Sequence, residues 1–220
     1  ACANTCPVHA ICMQPDPEGF NYPSVDEKKC IECKKCIAAC PVLNYENLNS
    51  NEPEILAVRA SDEIRAVSSS GGVFTVLAEE ILSEGGAVCG AAFDDNMVLR
   101  HVLIEDKESL NRLRGSKYLQ SDVGEVYVRI KELLIQGRKV LFSGTPCQNA
   151  ALRNVIGEDS DNLLQIDIIC HGVPSQTVFS QYLKEVASGR KVRHVNFRSK
   201  EFGWQSGKIL IEFDDNTEYI

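Results

Sequence analysis

Beyond residue 54 the apolar positions fall into two rhythms, one suited to strands and one to helices. Glu54 to Arg59 (EILAVR) reads as a strand. Val73 to Ser83 (VFTVLAEEILS) puts Val73, Leu77 and Ile81 on one predicted helical face, and Gly85-Gly86 stops it. Ala87 to Phe93 and Met97 to Ile104 predict two strands joined by the turn-forming cluster Asp94-Asp95-Asn96, followed by a short helix around Glu108 to Arg112. After the loop Arg114-Gly115-Ser116-Lys117-Tyr118 the alternation becomes regular. Val123 to Gln136 is an amphipathic helix ended by Gly137, and Arg138 to Phe142 is a short buried strand. Ser143-Gly144-Thr145-Pro146 then turns the chain into a helix from Cys147 to about Val155. Leu163 to Ile169 is a further strand, and Gln176 to Ala187 a further helix. Lys191 to Arg198 and Lys208 to Phe213 read as later strands. Strand, helix, strand, helix predicts an α/β domain over residues 54–220, with a mixed or parallel sheet covered on both faces.

The first 48 residues lack this rhythm and are organised by cysteine instead. Cys30, Cys33, Cys36 and Cys40 with Pro41 spell C-x2-C-x2-C-x3-C-P. That spacing belongs to a bacterial-type 4Fe-4S site, in which three thiolates from one tight loop grip one cube and the fourth reaches a second. The proline keeps a helix from running on through the ligand. Cys2 and Cys6 with Pro7 repeat the tail of the pattern, C-x3-C-P, so the sequence starts inside a motif and is expected to be incomplete at both ends. By the two-cluster logic Cys6, Cys30, Cys33 and Cys36 hold one cube, while Cys2 and Cys40 belong to the second. Zinc is the competing metal, although zinc sites usually pair two C-x2-C knuckles across a longer spacer. Ten cysteines also permit a disulfide framework, but seven crowd into the first forty residues, which suits a reducing cytoplasm better. Val8 to Ile11 and Pro15 to Phe20 read as a small strand and turn, Cys12 as a small buried hydrophobe, and Asn44 to Pro53 as a linker. The expected architecture is therefore α+β or α/β, a small ferredoxin-like module before a larger domain.

The formal net charge of -8 argues against nucleic acid or an anionic membrane as the main partner. No apolar run approaches the length of a membrane helix. Three turns of the larger domain carry candidate chemistry, because ligands of open α/β sheets bind beyond the carboxyl ends of strands. Ser68-Ser69-Ser70-Gly71-Gly72 opens a helix with small residues whose N–H groups suit a phosphate, or is an ordinary serine cap. Cys147, at a predicted helix N-terminus, is a redox or cofactor-contacting candidate or a structural thiol. Cys170-His171-Gly172 ends the next strand, and its tip lies beside Cys147 if the two strands are neighbours. Arg114 and Lys117 suit a phosphate, or face only water; Cys89 reads as core. Neither a dinucleotide-binding glycine pattern nor a Walker lysine motif is present.

Taken in order, the cluster segment, SSSGGVFTVLAEEIL, RGSKYLQSD, SGTPCQNAALR and IICHGVPS closely resemble the coenzyme F-420 hydrogenase/dehydrogenase beta-subunit family. The resemblance implies an iron-sulfur flavoprotein that passes electrons between two 4Fe-4S clusters and FAD, with hydride exchange to a deazaflavin or another two-electron partner. It also implies a redox partner protein and a small-molecule electron acceptor or donor. It places Ser69, Ser70, Gly71, Gly72, Ser116, Lys117, Thr145, Pro146, Gln148 and Gly172 around the flavin, with Cys147, Cys170 and His171 as candidate catalytic groups. A non-catalytic electron-transfer or docking subunit, and a zinc-stabilised interaction module, are the alternatives.

Overall fold

The computed structural model describes residues 1–44, 52–201, 203 and 207–220. At its centre lies a four-stranded mixed sheet of β3 (Ala87–Phe93), β4 (Leu99–Ile104), β5 (Val140–Gly144) and β6 (Leu163–Asp167), in the order β4-β3-β5-β6. The hairpin β3/β4 is antiparallel, whereas β3/β5 and β5/β6 are parallel. Successive side chains point to opposite faces of a strand, and both faces are covered. Val88, Ala92 and Leu141 pack with Ala78, Ile81 and Leu82 of α4 (Val73–Ser83) and with Leu110 of a short 3-10 turn over Glu108–Arg112. Cys89, Val140 and Phe142 face the other way, against Tyr127 and Ile130 of α5 (Val126–Ile135) and Leu152 and Val155 of α6 (Pro146–Ile156). Cover on both sides is why all five residues of β5 are buried.

Four expectations change. The buried face of α4 is Thr75, Ala78, Ile81 and Leu82 rather than the row through Val73, which is 37% exposed. Glu54 to Arg59 forms no strand, for no neighbouring strand offers it a ladder, and Ile55, Leu56 and Val58 are exposed. The last strands, β7 (Val192–Asn196), β8 (Leu210–Phe213) and β9 (Glu218–Tyr219), form their own antiparallel sheet instead of extending the central one. This sheet covers α7 (Gln176–Ala187), whose Phe179, Leu183 and Ala187 pack against Val195, Phe197, Ile211 and Phe213. Cys12 is exposed, since its hairpin has only two strands and no layer packs on that side.

The amino-terminal module consists of α1 (Cys2–Thr5), the hairpin β1 (Ile11–Pro15) and β2 (Asn21–Val25), and α2 (Lys35–Ala38). Most of the predicted linker lies outside the described residues. The module docks on the α/β domain through polar contacts. Asn4 donates to the Gly124 carbonyl at 2.7 Å, Asn154 to the Ala39 carbonyl at 3.4 Å, Ser175 to the Glu18 carbonyl at 2.5 Å, and the Asn21 N–H to Gln120 at 3.0 Å. Gly19 approaches the start of α7 so closely that an added Cβ would lie 2.0 Å from Thr177 Oγ1.

Candidate functional site

Each cysteine motif ends in a short helix followed by proline, and the two helices, α1 and α2, pack side by side. Between Cys30 and Cys36 the backbone turns sharply: Glu32 and Lys34 adopt positive φ of 53° and 59°, a left-handed conformation. The Ala10 N–H donates to Cys6 Sγ at 3.2 Å, the kind of backbone donor that steadies a thiolate ligand. All ten cysteines are free. Among the described residues no three His, Cys, Asp or Glu side chains stand at closed metal-ligand spacing. The donor set is nonetheless that of a thiolate-held iron-sulfur cube: soft sulfur ligands on a short loop, a backbone N–H aimed at sulfur, and the two cysteine-bearing helices side by side.

In the α/β domain two of the singled-out turns meet directly. The Ser116 N–H donates to Ser69 Oγ at 2.7 Å, and Ser69, Gly115, Ser116 and Lys117 line a cleft of about 370 Å³ together with Asn196 and Arg198. Gly71 and Gly72 act behind this wall. A Cβ on Gly71 would lie 2.9 Å from the Val58 carbonyl oxygen, and Gly72 holds φ +85° as the residue before α4. Arg114 is engaged rather than free: it donates to Thr75 at 3.2 Å and Glu79 at 3.3 Å, and also to Asn111. Lys117 Nζ donates to the Arg112 and Arg114 carbonyls at 3.0 and 2.8 Å, which closes the loop on itself. Burial lowers the Lys117 pKa to about 7, so near neutrality its charge is readily gained or lost.

Thr145, Pro146, Cys147 and Gln148 form the first turn of α6, with proline at its start and the Thr145 N–H donating to Gln148 Oε1 at 3.0 Å. Cys147 is exposed, its Sγ 3.1 Å from Thr145 Oγ1. Because β5 and β6 are neighbours with Gly144 opposite Asp167, the loop bearing Cys170, His171 and Gly172 leaves the same sheet end as this turn. Cys170, His171 and Gly172 are exposed and do not line the cleft. Ser70 adjoins the cleft-lining Ser69 without lining the cleft itself.

Comparison with known families agrees with this geometry. Residues 55–127 match the description "Coenzyme F420 hydrogenase/dehydrogenase, beta subunit N-term" and residues 137–220 match the C terminus of the same subunit. The chain belongs to the coenzyme F-420 hydrogenase/dehydrogenase beta-subunit family. Residues 1–44 match a 4Fe-4S dicluster domain, which assigns iron-sulfur clusters to the cysteine module and turns the zinc and disulfide alternatives aside. No curated protein matches the chain. Among solved structures it is similar to the F-420-reducing NiFe hydrogenase complex from Methanosarcina barkeri, at 21% identity and a TM-score of 0.48, covering 73% of this chain. The chain spans 57% of the length of that neighbour.

Three further side chains near the site were not singled out by the sequence. His101 on β4 is 5% exposed and stacks on Phe142 with ring centroids 5.2 Å apart. Ser121 links it to the α6 turn, with 2.9 Å to His101 Nδ1 and 2.9 Å to Gln148 Nε2. Asn149 donates to the Gly144 and Ile166 carbonyls and to Asp167, fastening the same turn to the tips of β5 and β6. Ser121 and Asn149 lie inside the stretches RGSKYLQSD and SGTPCQNAALR, so their neighbourhood was legible; His101 sits in an ordinary strand and gave no signal.

Proposed function

We propose that this chain is an iron-sulfur flavoprotein subunit of an oxidoreductase. Residues 1–48 carry the clusters, and residues 54–220 carry an FAD that exchanges a hydride with a deazaflavin or another two-electron partner. The observation that carries the reading is the Ser116-to-Ser69 hydrogen bond, which brings two separate sequence motifs to one cleft of a size suited to a cofactor. A bound flavin supplies the conversion between single electrons, as clusters carry them, and electron pairs. The protein's own part is to bind and orient. Ser69 and Ser116 supply hydroxyl groups, and Lys117 holds a proton near neutral pH at the cleft wall. The Thr145–Gln148 turn and the Cys170–Gly172 loop bound the neighbouring end of the sheet. A redox protein docks at the cluster module and a small molecule exchanges electrons at the cleft; both belong to a reducing, cytoplasmic setting.

The test is to purify the protein without oxygen and denature it in acid. Release of a yellow flavin together with iron and sulfide is the expected result. Iron and sulfide without flavin would leave a non-catalytic electron-transfer subunit and overturn the flavoprotein reading.

A further inference from the structure

We infer that His101 and Ser121 are positioning residues that hold the Gln148 side chain, and through it the Thr145–Gln148 turn, and so set how readily Cys147 at the start of α6 reacts. The inference rests on the proposed flavin-site reading only for its purpose, since the chain of bonds stands without any cofactor.

One proton sets the order of these bonds. His101 Nε2 lies 3.1 Å from the Ser143 carbonyl oxygen, which can only accept, so Nε2 carries hydrogen. The ring is neutral. Burial first, and then the nearby Lys117 charge, lower its pKa to about 4, against an opposing push from the Ser143 bond and Asp122. Nδ1 is therefore a lone pair and accepts from the Ser121 hydroxyl at 2.9 Å. With its single hydrogen committed, Ser121 Oγ accepts from Gln148 Nε2 at 2.9 Å. The other end of the carboxamide is fixed by the Thr145 N–H, which can only donate: Oε1 accepts it at 3.0 Å and the Thr145 hydroxyl at 3.1 Å. Cys147 Sγ lies 3.1 Å from Thr145 Oγ1, at the end of this chain of contacts.

A histidine buried merely for packing needs two partners and stops there. Here the order passes through three more side chains, from a ring stacked on Phe142 in the core to an exposed cysteine at the start of α6. The relay also joins two stretches far apart in sequence, because Ser121 follows the cleft-lining Lys117 by four residues. Removing the Ser121 hydroxyl leaves Gln148 Nε2 without this acceptor, so the carboxamide is held by its Thr145 end alone. The turn then loosens around Cys147, and its exposed sulfur meets alkylating agents more readily.

The direct test is nitrogen-15 NMR of histidine-labelled, anaerobically purified protein at pH 7, with the His101 signals assigned by their loss in His101→Phe. A neutral ring protonated at Nε2 is expected; an Nδ1-protonated tautomer or an imidazolium would overturn the inference. Reaction with iodoacetamide, followed at Cys147 by peptide mass mapping, gives the functional readout. Several-fold faster alkylation is expected in Ser121→Ala and a rate near the parent's in Ser121→Thr, which keeps the hydroxyl. Equal rates in all three would contradict the relay. Flavin content of the same samples is scored separately, so a protein lacking flavin defeats the flavoprotein reading and leaves the relay to stand or fall on its own signals.

Discussion

The cysteine module and the α/β domain are held together by different physics. Within residues 1–44 only Ala10 and Ala39 are buried hydrophobic side chains, whereas the central sheet is packed on both faces by two separate clusters of large residues. Two alanines contribute a few kcal/mol at most at roughly 25 cal/mol per Å² of apolar area. Chains this short generally need metals, disulfides or partners to hold a fold. The module's stability must therefore come from iron-sulfur ligation and from its polar contacts with the larger domain, while the larger domain folds on its own core.

The largest effect expected from that contrast is on removing the clusters. Stripping iron from the whole protein with a chelator should abolish hydrogen-exchange protection in α1, α2 and the β1/β2 hairpin, because ligation energy is folding energy in such modules. Amides of β3 and β5 should keep theirs. Equal loss in both regions would show that the domain leans on the module, contrary to the contrast drawn here.

Next in size is a core deletion. Phe142 is fully buried, stacked on His101 and edge-on to Tyr127 at 5.8 Å. Phe142→Ala should cost the α/β domain about 3–5 kcal/mol in denaturant unfolding. The cluster absorption of the module should change little at temperatures where the variant is still folded.

A third effect depends on pH. In the fold His101 takes up its proton only near pH 4, against an ordinary value of 6.5, so between these values the unfolded chain binds the extra proton. Stability of the α/β domain should therefore fall as pH drops from 6.5 to 4, by up to about 3 kcal/mol, and be insensitive to this group above 6.5. His101→Phe should flatten that slope. Lys117 acts at the other end: with a folded pKa near 7 against 10.5 unfolded, its contribution to stability rises as pH climbs through that window.

The smallest of the four sharpens the docking. Gly19→Ala places a methyl group against Thr177 at a position of φ +86°, and should loosen the module from α7 by about 1–3 kcal/mol. Faster exchange in the β1/β2 hairpin would register it, with partial recovery in Gly19→Ala combined with Thr177→Gly.

How much of this was legible in the sequence follows the same division. The 4Fe-4S dicluster module was readable because a cube fixes cysteine spacing within one loop, with no tertiary context required. The sheet strands and α7 were readable because burial on one or two faces imposes a period, and Val73–Ser83 matches its predicted bounds. What failed was set by neighbours that a local pattern cannot see. The strand expected at Glu54–Arg59 has, among the described residues, no strand beside it to pair with, Cys12 is an exposed residue of a two-stranded hairpin, and the last strands close on each other around α7. The candidate site shows the same limit. Serines and glycines at turns announced themselves, but the role of His101 depends on Ser143 forty-two positions away and on Ser121 twenty away, contacts made only by the fold.

The central claim, that the amino-terminal thiols hold iron-sulfide and set the module's structure, is tested most directly by metal and sulfide analysis of the oxygen-free protein beside a Cys33→Ala variant. The account predicts iron and acid-labile sulfide in equal amounts, a paramagnetic signal on reduction, and a clear loss of both elements in the variant. Zinc without sulfide, or no metal in an otherwise folded module, would contradict it.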